Sequence, residues 1–298
     1  MTLGESPAVA RRRVRLALRG AREERGLTQG QVAKALDWSL SKVQRIESGE
    51  VSVSTTDLRA LLAYFKIEDS DLVDQLMDDA RTSRRQRWYT DSTYREHLTP
   101  GTLLLLQFES EATAIRSFAL TLIPGLVQTP AYAKVALETA TAVLSAEQRR
   151  VRYEVRMRRR EQVLDRPDPP EYLLLLDESA LWREIGGARV TAEQLEALLD
   201  LAGRPDVHIR VIPFAEAAAV ALLGPFTVFD IGEERDAVLY REGYDQDEII
   251  QADGHVQHHR EIFEALWARS LDEPASERLI RARAASLLSS LDKHTFPS

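Results

Sequence analysis

The chain has 298 residues, enough for about two domains at roughly 100–200 residues each, and its 44% hydrophobic and 29% charged content suits globular units with sizeable cores. No apolar run approaches the roughly 20 residues of a membrane helix; the longest candidates, Leu103 to Leu106 and Ala119 to Val127, are core-sized, so no spanning segment is expected. There is no cysteine, which excludes disulfides, thiolate metal sites and thiol catalysis and fits a reducing compartment.

The formal net charge of -8 hides an asymmetry. Residues 1–90 carry 16 Lys and Arg against 13 Asp and Glu, the remainder 23 against 34, and residues 8–50 alone 10 against 5. Charges are screened beyond about 8 Å at physiological salt, so a local basic surplus is what phosphate attraction requires. The acidic remainder discourages nonspecific wrapping of DNA and points to another task. Arg11 to Arg13 are followed by no apolar h-region or cleavage site, so no export signal is read and a cytoplasmic location is expected.

From Val14 the pattern is helical, with Val14, Ala17, Leu18 and Ala21 on one stripe and Arg15, Arg19 and Arg22 between them, and Gly26 stops it. Thr28 is placed to cap a second helix, with Gln31 completing a capping box and Val32, Ala33 and Leu36 inward. After Asp37 and Trp38, Ser39 caps a third helix with Val43 and Ile46 inward, ended by Ser48 and Gly49. Ser54 caps a fourth carrying Leu58, Leu61, Leu62 and Phe65, and Asp69 to Ala80 reads as a fifth. Two short helices on a tight turn also occur in plain bundle packing. Here the third exposes Leu40, Ser41, Lys42, Gln44 and Arg45 together, and such side chains reach base edges and phosphates from a helix in the major groove.

On "LTQ" (Leu27 to Gln29), "VAKAL" (Val32 to Leu36) and "SLSKVQRIESG" (Ser39 to Gly49), the stretch from about 13 to 67 resembles the Xre/Cro-type helix-turn-helix repressors. The resemblance implies a double-stranded DNA operator and a homodimer pairing two half-sites. Position by position, it makes Gln29 a phosphate anchor, sets Ser39, Leu40, Ser41, Gln44 and Arg45 at the DNA, and puts Lys42 near the backbone. It pairs Arg22 with Glu47 as an orienting ion pair. The sequence departs from the pattern at the turn, where relatives often have Gly and this chain has Asp37, which must then take a positive φ at some cost. Leu40 is apolar where many relatives are polar, which suits a thymine methyl.

Residues 1–80 are therefore expected as an all-α domain of five helices, 81–100 as a linker, and 101–298 as a mixed α/β domain for an effector, a partner or dimerisation. In the second domain Leu103 to Phe118 suits a helix, Pro124 and Gly125 force a turn, and Thr129 and Pro130 restart a helix as N-cap and N1. Leu126 and Val127, apolar and held on the Pro-Gly bend, are the candidate edge for a partner or ligand, against a turn packed into the core. The arginine-rich run from Arg149 to Leu164 reads as a solvated helical face pairing with acidic neighbours rather than a second DNA contact. After "DRPDPP" come four strands, "EYLLLLDES", "VHIRVIPF", "GPFTVFDI" and "AVLYRE". Helices are read at Thr191 to Ala202, from about Ile249 to Leu271, and after Pro274 to about Leu291.

On "IPGLVQTPAYAKVAL", "RMRRREQVL", "LLLLDESALWREIGG" and "VIPFAEA", residues 100–280 resemble a domain that follows an Xre-type helix-turn-helix in actinobacterial regulators described as antitoxin-like. That resemblance implies a small protein partner encoded by the adjacent gene, and no ligand or reaction. His255 and His259 lie one helical turn apart beside His258, but no carboxylate is set opposite them and no metal is assigned. Asp177 and Glu178 are read as caps of the following helix rather than paired acids. No phosphate loop, nucleophile elbow or dinucleotide fingerprint occurs, so neither catalysis nor a cofactor is expected. Three readings stand: a transcriptional regulator whose second domain dimerises and receives a signal, an antitoxin-like interaction protein that autoregulates its operon, and an enzyme tethered to DNA.

Overall fold

The computed structural model describes residues 7–49, 51–84, 88–140, 145–231, 237–243, 247–250 and 253–295. Two compact units divide the chain, Met1–Asp91 and Ser92–Ser298.

The first unit contains α1 (Pro7–Glu24), α2 (Gln29–Ala35), α3 (Leu40–Glu47), α4 (Thr55–Tyr64) and α5 (Ser70–Ser83). Local chemistry sets each start from α2 onward. Thr28 and Gln31 close the capping box on α2. The Ser39 hydroxyl accepts from Lys42 N at 3.2 Å, the Ser54 hydroxyl from Asp57 N at 2.9 Å, and the Asp69 carboxylate from Asp71 N and Leu72 N. The stripes of α1 to α5 meet in one core around Leu18, Val32, Leu58 and Phe65, all at most 1% exposed. Part of the expected linker is structured: α5 runs on to Ser83, and a 3₁₀ turn spans Trp88–Thr90.

The turn between α2 and α3 passes through Asp37 at φ 55°, the left-handed region anticipated for it. An L side chain is strained there and glycine is not, although glycine also gains more freedom in the unfolded chain. Asp37→Gly is expected to stabilise the unit by roughly 0.5 kcal/mol. A fall in the thermal midpoint would show that the Asp37 side chain supports the turn.

In the second unit α6 (Ser92–Arg95) and α7 (Pro100–Glu111) lead into β1 (Ala114–Ala119). There follow α8 (Pro130–Ala140), α9 (Ala146–Val163), β2 (Glu171–Asp177), α10 (Ser179–Trp182), α11 (Gly187–Ala202), β3 (Val207–Ile212) and α12 (Ala217–Val220). The unit closes with β4 (Phe226–Asp230), β5 (Val238–Arg241), β6 (Glu248–Ile250), α13 (Asp253–Arg269) and α14 (Glu273–Thr295). The strands form one sheet in the order β3-β2-β1-β4-β5-β6. β1, β2 and β3 run parallel, and β4, β5 and β6 are each antiparallel to the preceding neighbour in that order. Ile115, Tyr172, Leu174, Ile209 and Phe229 share one face with buried residues of α7, α8, α11 and α14. Phe118, Leu175, Val228 and Leu239 share the other with Val256, Phe263 and Leu266 of α13. This is a helical domain joined to a mixed α/β one, as expected.

Several boundaries differ from the reading of the sequence, among them the start of α11 at Gly187 rather than Thr191, and two of them change an element's type. The helix expected over Leu103 to Phe118 stops at Glu111, and "AIRSFA" is instead β1, a central strand between β2 and β4. A six-residue strand buried on both faces has no alternation to betray it, so its apolar residues extend the preceding helical pattern. The helix expected from Ile249 begins at Asp253, because Glu248–Ile250 pairs with β5, a partner set by tertiary contact.

Candidate nucleic-acid interface

α3 is anchored on one side and open on the other. Val43, Ile46 and Glu47 are buried, while Leu40, Ser41, Gln44 and Arg45 are exposed, Leu40 to 47%. These four fall one helical turn or less apart and form a single face, as the spacing predicts. Ser39 begins this face, but its hydroxyl caps the helix. Apolar, hydroxyl, amide and guanidinium groups together match the donors, acceptors and methyl group that base pairs present in the major groove.

Beneath this face lies a buried polar clamp. Arg22 of α1 donates from Nε to Glu47 Oε1 at 2.7 Å and from Nη2 to Oε2 at 3.0 Å, and its Nη1 donates to the Leu27 carbonyl at 2.8 Å. Glu47 is buried and Arg22 largely so, and hydrogen bonding to Glu47 raises the Arg22 pKa further. Gln29, the expected phosphate anchor, donates from Nε2 to Glu47 Oε2 at 2.8 Å. One carboxylate thus ties α1, the start of α2 and the end of α3, and sets the direction in which α3 presents its outer face.

Lys42, expected near the DNA backbone, is engaged within the unit. Its ammonium bonds Asp57 Oδ1 at 2.7 Å and lies 3.7 Å from the centre of the Trp38 ring, so it braces α3 against α4. Trp38 and Asp57 are therefore parts of the site that the sequence reading did not assign. Nor is the basic surplus of residues 8–50 all displayed: Arg11 and Arg15 are buried. Arg11 donates to the Ser83 carbonyl, and Arg13 bonds the buried Asp79 through Nε and Nη2. A long cationic side chain on a packed helix bends to the nearest carbonyl or carboxylate, which sequence counting cannot register.

The other candidates resolve into structure. Leu126 and Val127 are 4% and 0% exposed, packed into the core under a 3₁₀ turn at Gly125–Val127, and so form no exposed edge. Asp177 Oδ1 accepts from Ser179 N at 2.9 Å at the start of α10, as expected, whereas Glu178 makes no capping bond and accepts instead from Trp182 Nε1, at the end of α10, and from Phe214 N. His259 bonds the His255 carbonyl and sets its ring edge on Phe226, and burial lowers its pKa. Among the described residues no group of three acidic, His or Cys side chains is placed to hold a metal. No described helix is long and apolar enough to cross a membrane. The arginine run is not simply a solvated face: Arg159 forms a buried pair with Glu109, and Arg156 bonds Gln128.

Comparison with known proteins agrees with this division. A helix-turn-helix domain model matches residues 14–76, and a domain of unknown function, DUF5753, matches residues 103–282. No curated protein and no solved structure matches the chain. With the recognition-helix geometry of α3 inside the first match and more than half of the chain inside the second, the protein is a helix-turn-helix DNA-binding regulator that belongs to the DUF5753 family.

Proposed function

We propose that the protein is a sequence-specific transcriptional regulator of the Xre type that grips its operator as a homodimer, one α3 in each of two major-groove half-sites. The Ser92–Ser298 unit dimerises and receives a signal from a small partner protein or a metabolite. The observation that carries this reading is the outer face of α3, Leu40, Ser41, Gln44 and Arg45, on a helix whose inner face is clamped by Arg22, Glu47 and Gln29. A single such helix buries too little surface for tight specific binding, and two copies about one DNA turn apart supply the rest.

The second unit supports pairing through protein contact. Leu122, Trp182, Phe214 and Leu222 are all exposed, and they lie in segments that follow β1, β2 and β3 or precede β4, which is one end of the sheet's strands. Their surroundings carry both signs of charge, Arg283 with Glu184 and Arg269 with Glu216. A second copy related by a two-fold axis meets such a surface with opposite charges facing.

The test selects an operator from random duplexes with the full-length protein, then compares it with scrambled DNA. Arg45→Ala and Gln44→Ala are each expected to lower the discrimination by about 1–3 kcal/mol, the worth of a bidentate base contact, while leaving binding to scrambled DNA nearly unchanged. Sedimentation at micromolar concentration is expected to show a dimer. An intact footprint in both variants, or a monomer on a non-palindromic operator, would defeat the reading.

A further inference from the structure

α9 places a cluster of arginines beneath the 3₁₀ turn at Gly125–Val127. A Cβ built on Gly125 would lie 3.2 Å from both Arg156 Nε and Arg159 Nη1, so the two guanidinium groups press side by side under that residue. Among the described residues only Arg159 hydrogen-bonds a carboxylate: Glu109 accepts from its Nε at 2.8 Å and also from its Nη2. Arg156 has a neutral partner, donating from Nη1 to Gln128 Oε1 at 2.9 Å, and Gln128 is itself fixed by donating to the Ile123 carbonyl at 2.7 Å. Arg152, one turn earlier on α9, has a buried Nε without a hydrogen-bond partner. Among the described residues, the three cations thus have one hydrogen-bonded carboxylate, Glu109, with Glu242 attracting Arg156 and Arg159 without bonding either, in a unit whose sequence is otherwise acidic.

We propose that Arg152, Arg156, Gln128 and the Gly125 turn form a binding site for a small oxyanion, a phosphate or carboxylate group on a metabolite. This deepens the reading of the second unit as the part that receives a signal, by giving the ligand its chemical class. Guanidinium groups suit such a ligand because their planar donors meet two oxygens at once. Arg156, which hydrogen-bonds no carboxylate among the described residues, bears a cost: burial pushes its pKa down to about 10, and Arg159 pushes the same way, with Glu242 opposing only in part. Arg156 remains partly exposed, so its unused donors are within reach of solution. An anion there would supply the missing charge and tie α9 to the turn.

The experiment uses the full-length protein and follows thermal unfolding of the second unit at constant ionic strength, with chloride replaced by inorganic phosphate in one arm and by a dicarboxylate, succinate, in the other. A saturable rise of roughly 3–6 °C at ten times Kd is expected in at least one arm, and the arm that responds assigns the oxyanion. R156Q is expected to lose the rise, and R160Q, outside the cluster, to keep it. Should R156Q fail to fold, R152Q leaves the Gln128 contact in place and carries the same test. No rise in the wild type, or an undiminished rise in the folded variant, overturns the site. Operator affinity with and without the stabilising anion tests the signalling role separately: binding without any change in affinity keeps the site and removes its regulatory meaning.

Discussion

Glu47→Ala is expected to destabilise the first unit by about 3–5 kcal/mol and to abolish specific DNA binding. The carboxylate accepts from Arg22 twice and from Gln29 once, and removing it leaves a largely buried guanidinium beside a buried face of α3 with only Glu23, 3.3 Å from Nη2 and partly exposed, as counter-charge. An intact buried pair contributes little net stability, because desolvation offsets the attraction, but half a pair is costly. The double variant Arg22→Met with Glu47→Leu should therefore recover most of the stability. It should not recover full operator affinity, since Gln29 then lacks the acceptor that fixes the start of α2. Urea unfolding, read by amide exchange in α2 and α3, checks both statements. A loss below 1 kcal/mol in the single variant would show that Val43 and Ile46 suffice to hold α3.

Glu109→Gln should cost the second unit a similar amount, about 3–5 kcal/mol, for the same reason in a more crowded setting. Burial disfavours the charge on Arg159, yet attraction and hydrogen bonding from Glu109 hold its pKa above the ordinary value. With that carboxylate neutralised, Arg159 would face Arg156 beside Gly125 as a like charge without its hydrogen-bonded partner. The loss should appear as a lower urea midpoint for the second unit while the first is unchanged, as the two are separate compact bodies. Replacing Arg159 as well, by Met, should return most of the loss. If Glu109→Gln unfolds at the wild-type midpoint, Arg159 is solvated enough to need no partner.

The sequence by itself determined the parts that close within a few residues. Thr28, Ser39, Ser54 and Asp69 cap helices through hydrogen bonds to amides two or three positions on, so composition and spacing reveal them. The exposed set Leu40, Ser41, Gln44 and Arg45 follows from the same 3.6-residue period that buries Val43 and Ile46. The positive φ of Asp37 was legible too, as a two-helix turn this tight demands one.

Tertiary structure alone decided which partners distant groups found. β1 became a strand because β2 and β4, far along the chain, offered it hydrogen bonds on both sides, and no local pattern distinguishes such a segment from the tail of a helix. Leu126 and Val127 turned inward because α8, α9 and α11 left a core for them. Arg13 met Asp79, Arg159 met Glu109 and Lys42 met Asp57, while Arg156 met an amide, Gln128, and hydrogen-bonds no carboxylate among the described residues. A long flexible side chain takes whichever acceptor the fold brings within about 3 Å, and that choice depends on the packing of helices rather than on neighbours in sequence.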